Sequence, residues 1–250
     1  MAGPGPGRPG GPRRPGGRKP VSGRSSASST ARRLKQRVVT AKGRSVSSKL
    51  WLERQLNDPY VAEARDRGFR SRSAFKLAEI DDKARFLKPG AVVVDLGAAP
   101  GGWSQVAAER VRAGEGRGRV IALDRNAMDP LPGVSVLKRD FLEPEAVEEL
   151  RAALAKDKAD AVISDMAAPA TGHRQTDHLK IMALCDAALD FAKEVLKPGG
   201  TFLCKVLRGG TERELLEAMK RDFAMVRHVK PKASRTDSAE LFVLATGFKA

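Results

Sequence analysis

Cysteine, aromatic residues and long apolar runs are all scarce in this chain of 250 residues. Its two cysteines, Cys185 and Cys204, lie in apolar stretches, a pattern that excludes a disulfide framework and a cysteine-based metal site. Aromatic residues make up 5% of the chain, too few for the stacking platform of a single-strand-binding protein. No run of eighteen apolar residues occurs, so no membrane-spanning helix is expected. These absences favour a reduced, cytoplasmic protein without a metal.

Acidic residues are absent from residues 1–49, which hold 13 lysines and arginines. Residues 50–250 hold 33 basic and 30 acidic residues and are therefore nearly neutral. A basic arm on a nearly neutral body favours a polyanionic partner, RNA or DNA before a membrane, although a solubilising tail is the alternative. The basic N-terminus has no apolar segment of the secretory kind, so we expect no signal peptide.

Composition divides the chain into three parts. Residues 1–31 are glycine, proline, arginine and serine with almost nothing apolar, so we predict a disordered basic leader. Residues 32–68 form a basic extension, in which helices are predicted over 49–56 and 60–67. Residues 69–250 are long enough to bury one core of their own.

A glycine-rich stretch, AVVVDLGAAPGGWSQ, occupies residues 91–105. Its apolar run ends at Asp95, and the three glycines that follow precede a helix predicted over residues 103–111. This pattern predicts a buried strand, a tight turn and a helix. Glycine lets the backbone turn sharply and lets a ligand approach it beside the helix N-terminus, although a turn without a ligand is the alternative.

Apolar strands alternate with helices along the rest of the chain. Strands are predicted at 92–96, 120–124, 134–137, 161–165, 201–207, 224–229 and 241–247. Helices are predicted at 103–111, 145–155, 179–195 and 212–221. This alternation predicts an α/β fold with a mostly parallel, doubly wound sheet and an antiparallel final strand.

Acidic residues close several of the predicted strands. Asp124 ends the strand after the glycine loop, and Asp140 and Asp165 follow the next two strands. The carboxyl ends of parallel strands meet at one edge of a sheet, where ligands of open α/β folds bind. One such acid is ordinary turn chemistry. Four around one loop, Asp95 included, favour a ligand with a ribose and many hydrogen-bond donors.

Two lysines differ in their predicted surroundings. Lys205 lies inside the apolar strand 201–207, where an unpaired ammonium costs several kcal/mol, so we expect it to meet a carboxylate or to carry a lowered pKa. The alternative is that it points outward at a strand end. Lys76 lies on an amphipathic helix that Ser73 is predicted to cap, and by its position alone it is expected to be solvated.

Several linked motifs join these residues, from about residue 45 to residue 247. They are SKLWLERQLNDPYVAEARDRGFRSRSAFKL, VVVDLGAAPGGWSQV, VIALD, RDF, SDMAA, PGGTFLCKV and ELFVLATGF. Through them the sequence closely resembles the FtsJ-type ribosomal RNA 2'-O-ribose methyltransferases, in particular the bacterial enzymes that act on a uridine of 23S RNA. The resemblance implies a Rossmann-like methyltransferase fold that depends on S-adenosylmethionine.

The resemblance also implies the site and the reaction, methyl transfer from S-adenosylmethionine to a ribose 2'-hydroxyl. The family uses a Lys-Asp-Lys-Glu tetrad, and by motif its positions are Lys76, Asp165, Lys205 (the proton acceptor) and Glu240. The implied cofactor contacts are Gly101, Trp103, Asp124, Asp140 and Asp165. A positioned base accelerates attack by a weak nucleophile of this kind by roughly 10²–10⁴-fold.

Basic residues beside these motifs are candidates for contact with RNA phosphates, which positions a substrate without reading its sequence. They are the arm 32–49 and Arg65, Arg67, Arg70, Arg72, Lys230, Lys232 and Arg235. We expect a monomeric, cytoplasmic enzyme that acts on 23S RNA in the assembled large subunit. The alternatives are the same chemistry on transfer RNA or a messenger cap, a small-molecule methyltransferase, and a non-catalytic ribosome-assembly protein that binds RNA.

Overall fold

The computed structural model describes residues 1–3, 5, 46–169, 171–208 and 212–250. The chain divides into two units, Met1–Lys35 and Gln36–Ala250. The leader predicted for residues 1–31 lies, except for its first few residues, outside the described residues, and so does the basic arm from residue 32 to residue 45. No helix formed by the described residues is long and apolar enough to cross a membrane.

Seven α-helices, one short 3₁₀ helix (Ala113–Glu115) and seven strands are formed by the described residues of the second unit. The helices are α1 Val46–Leu56, α2 Pro59–Asp66, α3 Ala74–Ala84, α4 Gly102–Val111, α5 Pro144–Leu154, α6 Arg174–Val195 and α7 Glu212–Asp222. The strands are β1 Val92–Leu96, β2 Arg119–Asp124, β3 Val134–Lys138, β4 Ala159–Ser164, β5 Leu196–Leu207, β6 Phe223–Val229 and β7 Glu240–Phe248.

The strands form a single seven-stranded sheet in the order β3-β2-β1-β4-β5-β7-β6. Strands β1 to β5 pair in parallel, whereas β7 pairs antiparallel with both β5 and β6. The predicted fold class is therefore confirmed, including the antiparallel final strand. The register of β5 with β7 sets Lys205 opposite Phe242 and Leu207 opposite Glu240, so two predicted site residues lie at the same end of adjacent strands.

Most element boundaries differ from the sequence prediction by a few residues, as at β5, which begins at Leu196 and not at residue 201, and two other differences are instructive. Helix α6 begins at Arg174 and not near residue 179, because the His173 side chain caps it by accepting from the Thr176 amide. Histidine is not among the residues that usually mark a helix start, so the sequence carried no signal for this cap. Strand β4 ends at Ser164, which leaves Asp165 in the loop that follows.

Each face of the sheet has its own apolar core. One core lies against α5, α6 and α7 and includes Leu150, Leu189 and Phe202. The other lies against α3 and α4 and includes Leu77 and Val106. Strand β1 is buried along its whole length, and burial on both faces explains why its sequence is a continuous apolar run.

One acidic residue, Asp95, is fully buried inside β1. Its Oδ2 accepts a hydrogen bond from Ser104 Oγ on α4 at 2.6 Å, and its Oδ1 is buried with no hydrogen-bond partner among the described residues. Burial raises the pKa of Asp95 to about 7; the Ser104 hydrogen bond opposes this rise, and Asp165 and Asp124 add to it. The Asp95–Ser104 bond ties the end of β1 to the first turn of α4.

Truncation of a core ring tests the packing of the sheet. Phe202 is fully buried between the strands and the helices of the first core, so Phe202→Ala should lower the free energy of unfolding by about 3–5 kcal/mol. Met225→Ala on the edge strand β6 is the matched control, because that side chain is 57% exposed. Urea unfolding measures both changes, and equal small effects would contradict the described core.

The pH dependence of stability tests the burial of Asp95. Its pKa is raised from the ordinary 3.8 to about 7, so the folded protein holds this proton more tightly than the unfolded chain. Stability from this group is complete below about pH 4 and is lost as pH rises through about 7, at about 1.4 kcal/mol per pKa unit. Asp95→Asn removes this titration and keeps an acceptor for Ser104. Urea unfolding at acidic and alkaline pH should show a smaller pH dependence in the variant, and identical profiles would contradict the raised pKa.

Candidate active site

The glycine loop between β1 and α4 packs mainly against other parts of the chain. Gly97 has a φ of +77°, and a Cβ there would lie 2.7 Å from the Met166 side chain. Gly101 has a φ of +110°, and a Cβ there would lie 2.9 Å from the Arg70 guanidinium. Close approach explains both glycines, but the neighbour at each is another part of the chain, so the predicted approach of a ligand to this backbone stays a prediction.

A cavity of about 500 Å³ opens beyond the carboxyl ends of β1, β2 and β4. Three predicted cofactor residues, Asp124, Asp140 and Asp165, supply carboxylates to its lining. Its apolar walls are formed by Leu123, Phe141, Leu142, Met166 and Ala168. Three of the four acids expected to meet around one space therefore do so, whereas Asp95 is fully buried and does not line this cavity.

The other two predicted cofactor residues do not line this cavity. The position of a Cβ at Gly101 is closed off by the Arg70 and Met128 side chains, each 2.9 Å away. Trp103 is buried, its Nε1 donates to the Ser73 carbonyl oxygen at 2.9 Å, and its ring centroid lies 5.5 Å from that of Phe242. Trp103 thus joins α4 to the residues before α3 and to β7.

Two acids of the cavity also hold the loops that surround it. Asp124 Oδ2 accepts from the Ala99 amide at 3.0 Å, and its Oδ1 accepts from the Asn126 amide at 2.7 Å. Asp140 Oδ1 accepts from the Leu142 amide at 3.1 Å. A carboxylate has about four acceptor positions, so turn chemistry and ligand binding are compatible at both residues.

The four tetrad residues form two ion pairs at one edge of the sheet. Lys205 Nζ lies 3.0 Å from Asp165 Oδ1 and 2.7 Å from the Asp165 carbonyl oxygen. Lys76 Nζ lies 2.6 Å from Glu240 Oε1 and 5.6 Å from the centroid of the Phe242 ring. Lys205 is 8% exposed and Lys76 is 9% exposed, so both are buried. The contact of Lys205 with Asp165 agrees with the expectation that this lysine meets a carboxylate. Lys76 is not the solvated side chain that its helix position predicts.

Both lysines act on Asp165. Burial alone would raise the pKa of this carboxyl, but Lys205, Lys76 and the Ser73 hydroxyl together outweigh burial and hold its pKa below the usual value. Asp165 is therefore ionised across the neutral range. It accepts one hydrogen bond from Ser73 Oγ at 2.5 Å in addition to that from Lys205.

Two serines of this site escaped the sequence prediction. The prediction that Ser73 caps α3 is wrong, because its hydroxyl makes no capping bond and donates to Asp165 instead. Ser234 Oγ donates to Glu240 Oε1 at 3.0 Å. Ser73 and Asp165 are 92 residues apart, and a local pattern carries no information on such a contact.

Several of the candidate RNA-binding side chains are bonded to other groups of the protein. Arg70 donates to the Asp129 and Pro130 carbonyl oxygens, and Lys230 donates to the Ser238 carbonyl oxygen. The remaining engaged residues are Arg72 and Arg235, which both contact Asp58.

The other three candidate RNA contacts, Arg65, Arg67 and Lys232, have exposed side chains. Arg67 Nη2 also lies 2.5 Å from Glu63 on the preceding turn.

The residues of the cavity suit S-adenosylmethionine. Carboxylates at the ends of β2 and β3 are hydrogen-bond acceptors for ribose hydroxyls and an amino group. The apolar walls suit a flat purine ring, and the ionised Asp165 suits a nearby positive charge. The Lys76–Glu240 pair lies beside the Lys205–Asp165 pair, so a second substrate that reached Asp165 would meet both lysines.

The comparisons with known proteins agree with this geometry. Residues 69–248 match the family described as FtsJ-like methyltransferase. The chain is 64% identical over 226 residues to the ribosomal RNA large subunit methyltransferase E of Parvibaculum lavamentivorans, covering 88% of this chain and 89% of that protein. The corresponding protein of Xanthobacter autotrophicus is 60% identical, covering 87% of this chain and 85% of its own.

A solved structure shows the same architecture. A Plasmodium falciparum chain described as a ribosomal RNA methyltransferase superposes with a TM-score of 0.65 at 30% identity, covering 72% of this chain and 98% of that one. The resemblance inferred from the motifs is confirmed, and S-adenosylmethionine is the cofactor. The chain belongs to the FtsJ-like methyltransferase family.

Proposed function

We propose that this protein methylates the ribose 2'-hydroxyl of a uridine in large-subunit ribosomal RNA, with the assembled large subunit as its substrate. The name borne by relatives at 64% and 60% identity supports the class of RNA. The observation that carries the reaction is the buried Lys205–Asp165 pair beside the cofactor cavity. A monomeric, cytoplasmic enzyme fits this proposal.

The cavity acids and walls bind the cofactor in this proposal. Asp124, which already accepts three hydrogen bonds from Ala99 and Asn126, would accept one from a ribose hydroxyl of the cofactor, Asp140 would accept from its polar base edge, and Met166 would pack against the ring. When bound, S-adenosylmethionine supplies an electrophilic methyl group on a sulfonium sulfur. The contacts of Asp124 and Asp140 with loop amides hold both carboxylates in place before the ligand arrives.

Lys205 is the proton acceptor in this proposal. The ammonium of the Lys205–Asp165 pair must first release one proton to solvent, and the neutral amine that remains has two N–H donors and one lone pair. The carbonyl oxygen and the Oδ1 of Asp165 lie at 2.7 Å and 3.0 Å from Nζ and take both donors. The lone pair is then left to accept the proton of the 2'-hydroxyl as its oxygen forms the bond to carbon and the bond from sulfur to carbon breaks.

Asp165 and the second ion pair orient the reacting groups. Because the pKa of Asp165 lies below its usual value, its carboxylate stays charged and holds Lys205 in one direction. Lys76, held by Glu240, places a second cation beside the same carboxylate. Alignment of this kind contributes roughly 7–11 kcal/mol to catalysis, more than proton transfer alone.

Exposed cations outside the tetrad hold the RNA in this proposal. Arg65 and Arg67 on α2 and beside it, together with Lys232, have exposed side chains that can reach phosphates. The basic extension 32–68 adds sequence-independent attraction, because each neutralised phosphate releases counterions.

Removal of the Lys205 amine tests the reaction. Lys205→Ala should lower the single-turnover rate of methyl transfer by ~10²-fold or more, because the hydroxyl loses its proton acceptor. Affinity for S-adenosylmethionine should change little. The matched control is Lys197→Ala, a lysine on the same strand whose Nζ lies 2.9 Å from Asp160 and away from the tetrad. If the folded Lys205→Ala variant transferred methyl groups at a near-normal rate, Lys205 would not be the proton acceptor.

The substrate is tested with labelled S-adenosylmethionine and three separate acceptors, hypomethylated large subunits, naked 23S RNA and transfer RNA. We expect label in the large subunits at a ribose, detected as a backbone linkage that resists alkaline cleavage because the 2'-oxygen is blocked. If only transfer RNA were labelled, the proposed substrate would be wrong, whereas the proposed reaction would stand. Label in a base would overturn the reaction, and binding without label would favour a non-catalytic RNA-binding protein.

A further inference from the structure

The loop between β6 and β7, residues 230–239, leads directly into Glu240. Its amides at Lys232 and Ala233 donate to the Glu79 carboxylate of α3 at 2.6 Å and 3.1 Å. The Ala233 carbonyl oxygen accepts from Arg72 Nη2, which lies just before α3. The loop that positions Glu240 is therefore held by side chains from the N-terminal part of the fold.

Asp58 lies at the centre of this arrangement, before α2. Its Oδ1 caps α2 by accepting from the Tyr60 amide at 3.0 Å. Its Oδ2 lies 3.0 Å from Arg72 Nη1 and 3.1 Å from Arg235 Nη2, the second of which belongs to the β6–β7 loop. Hydrogen bonds between ionised groups are about twice as strong as neutral ones, and this carboxylate is 9% exposed.

A small apolar cluster lies beside these charges. Ala233 of the loop is fully buried against Ala64 of α2 and Phe75 of α3. The next residue in the loop is Ser234, whose Oγ donates to Glu240 Oε1 at 3.0 Å. Glu240 in turn holds Lys76 at 2.6 Å. Contacts thus run without a gap from Asp58 through Arg72 or Arg235 and the loop to the Lys76–Glu240 pair.

We propose that Asp58 is a positioning residue, which with Arg72 and Arg235 holds the β6–β7 loop so that Glu240 orients Lys76. The proposal rests on the proposed function for the role of that pair. Asp58 lies outside residues 69–248, which match the family, so a segment beyond the matched domain supports the tetrad. A misplacement of about 1 Å in such a group lowers a rate by up to ~10²-fold.

This role replaces phosphate contact for two of the arginines. The Arg72 guanidinium donates to Asp58 and Ala233, and its side chain is 16% exposed. Arg235 directs two nitrogens at Asp58. When a cation that contacts an RNA phosphate is removed, the slope of the logarithm of affinity against the logarithm of salt concentration falls in magnitude by about one. A positioning residue leaves that slope unchanged and lowers kcat.

The test uses Asp58→Asn in the full-length protein with the RNA substrate identified above. Asparagine keeps the cap on α2, so the variant removes mainly the charge shared by the two arginines. We expect kcat to fall roughly 10- to 100-fold, by loss of alignment. The KM for RNA, the affinity for S-adenosylmethionine and the salt slope should each stay within about twofold of the wild-type values.

The matched control is Glu63→Gln on α2, which removes an exposed acid paired with Arg67 and should leave kcat unchanged. Arg235→Gln is the second variant, because it breaks the same contact from the loop side. It should lower kcat in the same direction as Asp58→Asn, and the double variant should be no slower than Asp58→Asn alone, since Arg235 acts through Asp58.

Several outcomes would overturn the proposal. A wild-type kcat in Asp58→Asn would do so, as would a salt slope reduced by about one in Arg235→Gln with kcat unchanged, which marks a phosphate contact. Parallel losses of kcat, cofactor affinity and thermal midpoint would assign Asp58 to folding alone. Failure of the proposed function is seen separately, as label outside a ribose with the wild-type protein.

Discussion

A buried ammonium group needs a carboxylate within hydrogen-bond distance, and this requirement organises the site. Lys205 lies inside the sheet and meets Asp165, and Lys76 lies on a packed helix and meets Glu240. Either charge without its partner would be desolvated at a cost of several kcal/mol. The four residues come from α3, the end of β4, β5 and β7, so the pairs also join those elements. The fold and the site depend on the same contacts.

The parallel sheet explains where the cavity lies. Three of the acids that end or follow its strands, Asp124 of β2, Asp140 after β3 and Asp165 after β4, line a cavity of about 500 Å³ at one edge. Asp124 and Asp140 combine two tasks, since each accepts from a loop amide and keeps further acceptor positions for a ligand. Asp95 has a different role, because it is buried behind the loop and hydrogen-bonded to Ser104. Acids at similar positions on their strands therefore differ in role, because Asp124 and Asp140 line the cavity and Asp95 is fully buried.

The start of helix α2, which precedes the matched domain, is joined to the Lys76–Glu240 pair by a series of contacts. Asp58 ends the turn before α2 and contacts two arginines, one from before α3 and one from the β6–β7 loop. Ser234 and Glu240 follow in the same loop. A change in the position of α2 would therefore reach Lys76 through a short series of polar contacts. This arrangement links the basic extension to the tetrad.

The sequence by itself determined the α/β class, the glycine loop, the strand-end acids and the expectation that Lys205 meets a carboxylate. These follow from local rules, since apolar runs form strands, glycine permits positive φ, and a charge inside an apolar strand must be paired. Tertiary structure decided the rest. Lys76 is buried against Glu240 and Phe242 of β7, Ser73 donates to Asp165 instead of capping its helix, and Arg72 and Arg235 pair with Asp58. Arg235 and Asp58 are 177 residues apart, and only the folded chain brings such groups within hydrogen-bond distance.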